Sequence, residues 1–172
     1  PWTMTEAGRG EFGAGARLHA LLRGGCRASD ENAPRSFPMT FDASATPVAV
    51  VARWHDALNA REHADVLALS DPAIEIVGPR GIAVGIEVLK GWLEGTNVQL
   101  RPFRTFARGG RVVVEEHGIW SDPASGQIIG RSDVASAFEV RDGRVARYER
   151  FDEVQEALTS SGLSGDDELA SP

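Results

Sequence analysis

Glu116 is the residue of this chain best suited to acid–base chemistry, and it stands in the run Val112-Val113-Val114-Glu115-Glu116-His117. Side chains alternate between the two faces of a strand, so if Val112, Val114 and Trp120 face inward, Glu116 and Gly118 do too. Val113, Glu115, His117 and Ile119 then face out. A carboxylate held among apolar and aromatic side chains loses solvation, which raises its pKa and suits it to give or take a proton near neutral pH. The bland alternative is a rim carboxylate paired with Arg101 or Arg147. If the strand slips by one residue, His117 replaces Glu116 as the inward group. Adjacent strand residues cannot converge on one ion, and no HExxH or paired-cysteine spacing occurs, so neither a metal nor a cofactor is expected.

The remaining polar candidates read as structural. His55-Asp56 and His63-Ala64-Asp65 fall on helices at spacings that scatter them over the surface, where solvated positions are the default. Ser160-Ser161 lacks the GxSxG context of a nucleophile. Gly8-Arg9-Gly10-Glu11-Phe12-Gly13 is a literal GxGxxG, but no strand precedes it and no clear helix follows.

The elements that must position Glu116 are four runs of strand formers between Asn97 and Glu153. They are joined by Gly109-Gly110, by Asp122-Pro123-Ala124-Ser125-Gly126 and by Asp142-Gly143. Two-residue Gly-Gly and Asp-Gly loops supply the positive φ values of primed hairpin turns, so the segment reads as a β-meander. Ahead of it, Thr46 caps a helix with Pro47 at its first position and Val50, Val51, Trp54 and Leu58 on one face. A short helix near His63 to Leu69 follows, ended by Asp71-Pro72, and Ala73 to Val77 reads as a strand before a turn at Pro79-Arg80-Gly81. A third helix carries Ile86, Leu89, Trp92 and Leu93 between Gly85 and Gly95. After the meander, Asp152 begins a last helical turn through Leu158. Residues 164–172 read as a mobile acidic tail.

Length and composition fit one domain with a real core: 172 residues, 42% hydrophobic and 25% charged. Residues 1–38, rich in Gly, Arg and Ala, read as a disordered extension, with Met39 as a natural start and the folded domain at 39–163. The net charge of −7 repels phosphate backbones and anionic lipid, and Lys90 is the sole lysine, so nucleic acid and membrane are not expected partners. Cys26 is the sole cysteine, which makes a cytoplasmic setting the default.

Helix, helix, strand, helix and a meander closing in Phe138, Val140, Asp142-Gly143, Val145, Tyr148, Phe151 and Asp152 resemble a nuclear transport factor 2-like or SnoaL-like domain over about Ala45 to Leu163. The resemblance implies an α+β fold: a cone-shaped roll of curved, mostly antiparallel sheet wrapped around N-terminal helices, with an apolar pocket at its wide end. Ketosteroid isomerases of this fold carry a tyrosine, a base aspartate and a second acid where this chain has Trp54, Ile76 and Ser136. Those residues cannot take over the roles, which disfavours steroid-type isomerisation, and polyketide cyclases also use an acid near Ser136. The implied pocket is lined by Trp54, Ile76, Trp120, Ser136, Phe138 and Tyr148.

Two expectations follow. The first is acid–base chemistry on a small apolar molecule through Glu116, of isomerase, dehydratase, cyclase or epoxide-hydrolase type. The second is a non-catalytic module for small-molecule binding or dimerisation. In either case the apolar outer face of Val113, His117, Ile119, Ala135 and Ala137 predicts a homodimer through that face.

Overall fold

Thr46 starts the first helix as its residue type dictates: its hydroxyl accepts the Ala49 N–H at 3.3 Å, and Pro47 occupies the first turn, where a missing N–H costs nothing. The computed structural model describes residues 45–78 and 81–170. The GxGxxG run, Cys26, the expected extension over 1–38 and the Pro79-Arg80 turn therefore lie outside the described residues. Helix α1 (Pro47–Ala60) ends at Arg61, whose left-handed backbone (φ 61°) returns its N–H to the helix. Then come α2 (His63–Ala68), β1 (Ser70–Gly78), β2 (Gly81–Val84) and α3 (Ile86–Gly95). The meander follows as β3 (Val98–Arg108), β4 (Arg111–Ser121), β5 (Ile128–Arg141) and β6 (Arg144–Phe151), and α4 (Val154–Ser161) closes the order.

Among the described residues the six strands form one sheet in the order β2-β1-β6-β5-β4-β3. All neighbours are antiparallel except β1 and β6. The hairpin turns are those the sequence dictates. Asp142 (φ 49°) and Gly143 (φ 71°) both take the left-handed conformation that a two-residue primed loop requires. Gly110 has a second reason to be glycine, since a Cβ there would stand 2.7 Å from the Val140 carbonyl oxygen.

The inner face of the sheet packs Val112, Val114, Val134, Phe138, Val140 and Tyr148 against Val50, Val51, Trp54 and Leu58 of α1 and Leu89 and Leu93 of α3. Burying each such side chain is worth ~1.5–3 kcal/mol, so this layer dominates the stability of the domain. On the outer face Phe106, Val113, Ala135 and Ala137 pack against Ala157, Leu158 and Leu163.

Four features differ from expectation. The first strand begins at Ser70 rather than Ala73 and carries Pro72 through an irregularity in its pairing with β6, a place where a missing N–H is tolerated. Strand β2 was not foreseen, because Ile82-Ala83-Val84 between two glycines is too short to show a period. Helix α4 runs to Ser161 from an N-cap at Glu153, and it covers the part of the outer face formed by Val113, Ala135 and Ala137. Those three residues are therefore buried within the chain and cannot themselves form a subunit contact. Finally, residues 164–170, read from sequence as a mobile tail, lie along β3: Leu163 is buried, Gly165–Asp167 forms a 3-10 turn under a Ser164 capping box, and Glu168 bridges to Phe106. Arg104 holds Glu168 at 2.9 Å, and an acidic side chain facing an arginine on the neighbouring strand explains why composition alone misread this segment.

Candidate active site

The Gly109-Gly110 turn sets Arg108 opposite Arg111, and strict alternation from there turns Val112, Val114 and Glu116 inward. Glu116 is fully buried. Helix α1 supplies the group above it. The Asn59 side chain clips α1 to the edge strand by donating to the Leu100 carbonyl at 2.7 Å and accepting the Leu100 N–H at 2.8 Å. One turn earlier on the same face, His55 is 2% exposed and its Nε2 lies 2.7 Å from Glu116 Oε2.

The partners of this pair fix where its proton can be. His55 Nδ1 lies 2.9 Å from the Val51 carbonyl oxygen, which can only accept, so Nδ1 carries a hydrogen and donates it. A single further proton then lies between Nε2 and Oε2, giving either imidazolium with carboxylate or neutral imidazole with carboxylic acid. The other carboxyl oxygen, Oε1, accepts the hydroxyl of buried Ser136. Tyr148 completes the chain, with its hydroxyl 3.5 Å from Ser136 Oγ; since Ser136 has committed its one hydrogen to Glu116, the phenol hydrogen is the one left to bridge them. Burial, and next the charge of Glu116, push the Tyr148 pKa well above the usual phenol value, so Tyr148 stays protonated and a donor. Four polar side chains from α1, β4, β5 and β6 thus form one connected path through an apolar interior.

Aromatic rings enclose the path. Trp54 stacks on Tyr148 with centroids 5.4 Å apart, Phe138 meets both Trp54 and His55 edge-on, and Trp92 lies 5.8 Å from Tyr148. The Trp54 indole N–H is itself satisfied by Ser70, whose hydroxyl donates to the Val66 carbonyl. Trp54, Ser136, Phe138 and Tyr148, expected to line a pocket, are buried and in mutual contact, with Ile76 and Trp120 partly buried beside them. The interior that these residues would line is thus largely filled by their own rings. His55 borders a cleft of about 60 Å³ between α1 and the sheet, lined also by Val48, Val51, Ala52, Pro102, Thr105, Val112 and Val114. Such a space holds a few waters rather than a substrate of ten or more atoms.

Other expectations resolve by face. His117 points outward, 58% exposed, stacked on Phe103 and bonded to Asp133 at 2.6 Å; it is not in the interior. Arg147 pairs with Glu75 and Glu149, and Arg101 stands opposite His117, so neither neutralises Glu116. His55, read from sequence as a solvated helix residue, is the correction that matters most. The signal was present: Val51, His55 and Leu58 recur at the spacing of one buried helix face, and a histidine on that face needs a polar partner across the core. Among the described residues no three His, Cys, Asp or Glu side chains cluster as metal ligands, and no helix is long and apolar enough to cross a membrane.

Solved structures share this arrangement of helices and sheet. A provisionally named polyketide cyclase from Xanthomonas campestris pv. campestris superposes with a TM-score of 0.53 at 23% identity, over 66% of this chain and 94% of its own. A nuclear transport factor 2-like protein of unknown function from Burkholderia pseudomallei gives 0.55 at 16% identity, over 67% and 96%. TerC, co-crystallised with polyporic acid, gives 0.55 at 20% identity, over 67% and 98%. The chain has the nuclear transport factor 2-like, SnoaL-like fold. No protein-family model and no curated protein matches it. Within this fold, His55 and Glu116 lie between α1 and the sheet, with Ser136 bonded to Glu116 and Trp54 edge-on to His55, whereas Ile76 stands three strands away on β1, opposite Tyr148.

Proposed function

We propose that this SnoaL-like domain moves a proton on a small, largely apolar substrate, with Glu116 as the acid–base group. The observation that carries the reading is the buried His55–Glu116 contact at 2.7 Å. Holding two ionisable groups in an apolar interior is seldom the most stable solution, since well-packed apolar residues serve stability as well or better. Buried ionisable pairs cluster at functional sites, which supports a role in proton transfer for this one. In this reading Glu116, partnered by His55, takes a proton from substrate and later returns it. Tyr148 and Ser136 donate hydrogen bonds that steady negative charge on the carboxylate side of the path. A substrate larger than the cleft beside His55 enters only when interior rings shift. Structures of similar fold include a provisionally named polyketide cyclase and a protein crystallised with polyporic acid, in keeping with a small organic ligand.

The filled interior favours a second reading, in which His55–Glu116 is a structural tie and the domain binds or dimerises without catalysis. The experiment is a screen of small enones, lactones and epoxides against the wild type, Glu116→Gln and, as control, Glu115→Gln. Turnover lost in Glu116→Gln and kept in Glu115→Gln supports acid–base catalysis. Saturable binding without turnover in all three proteins rejects it in favour of the binding module.

A further inference from the structure

On the outer face of the sheet, Arg108, Arg111, Glu139 and Arg147 stand side by side on β3, β4, β5 and β6. Like charges directly opposite each other on neighbouring strands repel, so such a row is stable only where carboxylates answer each cation. Arg108 is answered by Asp167 at 3.2 Å, and Arg147 by Glu75 at 2.9 Å and Glu149 at 3.1 Å. Arg111 is the exception. Its neighbour Glu139 turns to Arg141 on its own strand, at 2.6 Å, and among the described residues Arg111 pairs with no carboxylate. Its guanidinium donates instead to the Ser161 carbonyl at 3.1 Å, which uses one of its several N–H groups. Beside it, where the C-terminal end of α4 meets the sheet, lies a cavity of about 90 Å³ lined by Arg111, Ala137, Glu139, Arg147, Glu149 and Ser160 among others. Glu139 and Glu149 each commit Oε2 to an arginine and keep Oε1 for a further donor.

We propose that this cavity is a binding site for a small α-amino acid, held with its carboxylate on Arg111 and its ammonium between Glu139 and Glu149. Guanidinium binds a carboxylate through paired N–H donors, and Arg111 is the lining cation that still has them to offer. Gly162 keeps it in place, since a Cβ there would stand 3.2 Å from Arg111 Nη1. A plain anion suits the cavity less well, because two carboxylates share its lining and the end of α4 adds partial negative charge above it. A ligand carrying both charges answers all of these groups. The volume sets the size: at ~30 Å³ per water it equals about three waters, room for the body of glycine or alanine and not for a long side chain. The site lies on the opposite face of the sheet from Glu116, so it stands independently of the acid–base reading.

The test is binding, followed by saturation-transfer NMR and by thermal shift. Alanine, propionate (no ammonium), ethylamine (no carboxylate) and leucine are titrated against wild type, Arg111→Met and Glu139→Gln, so that either variant remains readable if the other fails to fold. Alanine should saturate the wild type and raise its melting temperature. Each variant should weaken alanine about tenfold or more, because one charged end of the ligand loses its partner. Propionate and ethylamine should bind wild type about tenfold more weakly than alanine for the same reason, and leucine should bind more weakly because its side chain exceeds the space. Propionate as tight as alanine overturns the amino-acid assignment. Equal alanine affinity in wild type and in both variants overturns the site, and so does a wild type that alanine fails to saturate by about 50 mM. Glu116→Gln should bind alanine as wild type does, so a failure of this site and a failure of the acid–base reading are read separately.

Discussion

At the scale of residues, the buried path from Tyr148 through Ser136 and Glu116 to His55 makes its own forecasts. Tyr148 is the only tyrosine of the chain, so its ionisation is read directly by tyrosinate absorbance. Burial first and the Glu116 charge second raise its pKa above the ordinary 10.0, and the sign follows: the folded state holds the phenol proton more tightly than the unfolded state. The stabilisation is whole below the unfolded value and is lost as pH climbs from there through the folded value. Wild type should therefore lose melting temperature above about pH 10 in a way that Tyr148→Phe does not, and near pH 10 tyrosinate should appear only after unfolding in denaturant. Glu116→Ala should cost about 3–5 kcal/mol by leaving His55 and Ser136 without a partner, while His55→Leu with Glu116→Leu should fall near wild type, as denaturant melts would show. Single-sequence reasoning placed Glu116 on the inner face, because strand alternation from Val112 and Val114 is strict. It missed His55, because a histidine followed by Asp56 looks solvated until the helix face is counted against Val51 and Leu58.

At the scale of elements, hairpins were legible because their turns are local. Gly109-Gly110 and Asp142-Gly143 set the register next to each turn, which shifts only at bulges farther along the strands, and α1 is announced by Thr46-Pro47. Non-local features were not legible: the parallel pairing of β1 with β6 joins residues such as Ile76 and Tyr148, far apart in sequence, and nothing in either segment encodes the other. Helix α4 belongs to the same class. Its apolar residues Ala157 and Leu158 gain their meaning only from Phe106, Val113, Ala135 and Ala137 beneath them. Leu158→Ala should thus lower stability by about 2–5 kcal/mol in denaturant melts, with no change in binding at the inner face. Residues 164–170 repeat the pattern on a smaller scale, since the pairing of Arg104 with Glu168 lowers the carboxyl pKa of Glu168 and ties the acidic end to β3. A change such as Glu168→Gln should raise hydrogen exchange in this segment alone.

At the scale of the whole molecule, α4 divides the outer face of the sheet in two. The half beneath it is occupied, which leaves the half beyond it, where Phe103 stacks on His117 and His117 meets Asp133, as the uncovered part of the outer face. Phe103 keeps 37% of its surface exposed and His117 58% although the two rings stack at 4.4 Å, an open aromatic pair on an uncovered sheet. A two-fold contact would bury each such patch against its own copy, and the histidine–aspartate pair brings hydrogen-bonding groups to that contact. We therefore propose a homodimer through this half-face, and its behaviour is constrained by the formal charge of −7 on each chain. Like charges oppose association at long range, and that repulsion is screened once the Debye length falls to about 8 Å near physiological salt. Dimer mass in light scattering should accordingly grow from low to physiological salt at micromolar protein. Ile119→Asp should return the protein to monomer without lowering its melting temperature, whereas Ala137→Glu, which falls beneath α4, should lower the melting temperature instead. Monomer mass for the wild type at both salt levels would remove the dimer, and an unaltered dimer in Ile119→Asp would move it to another face.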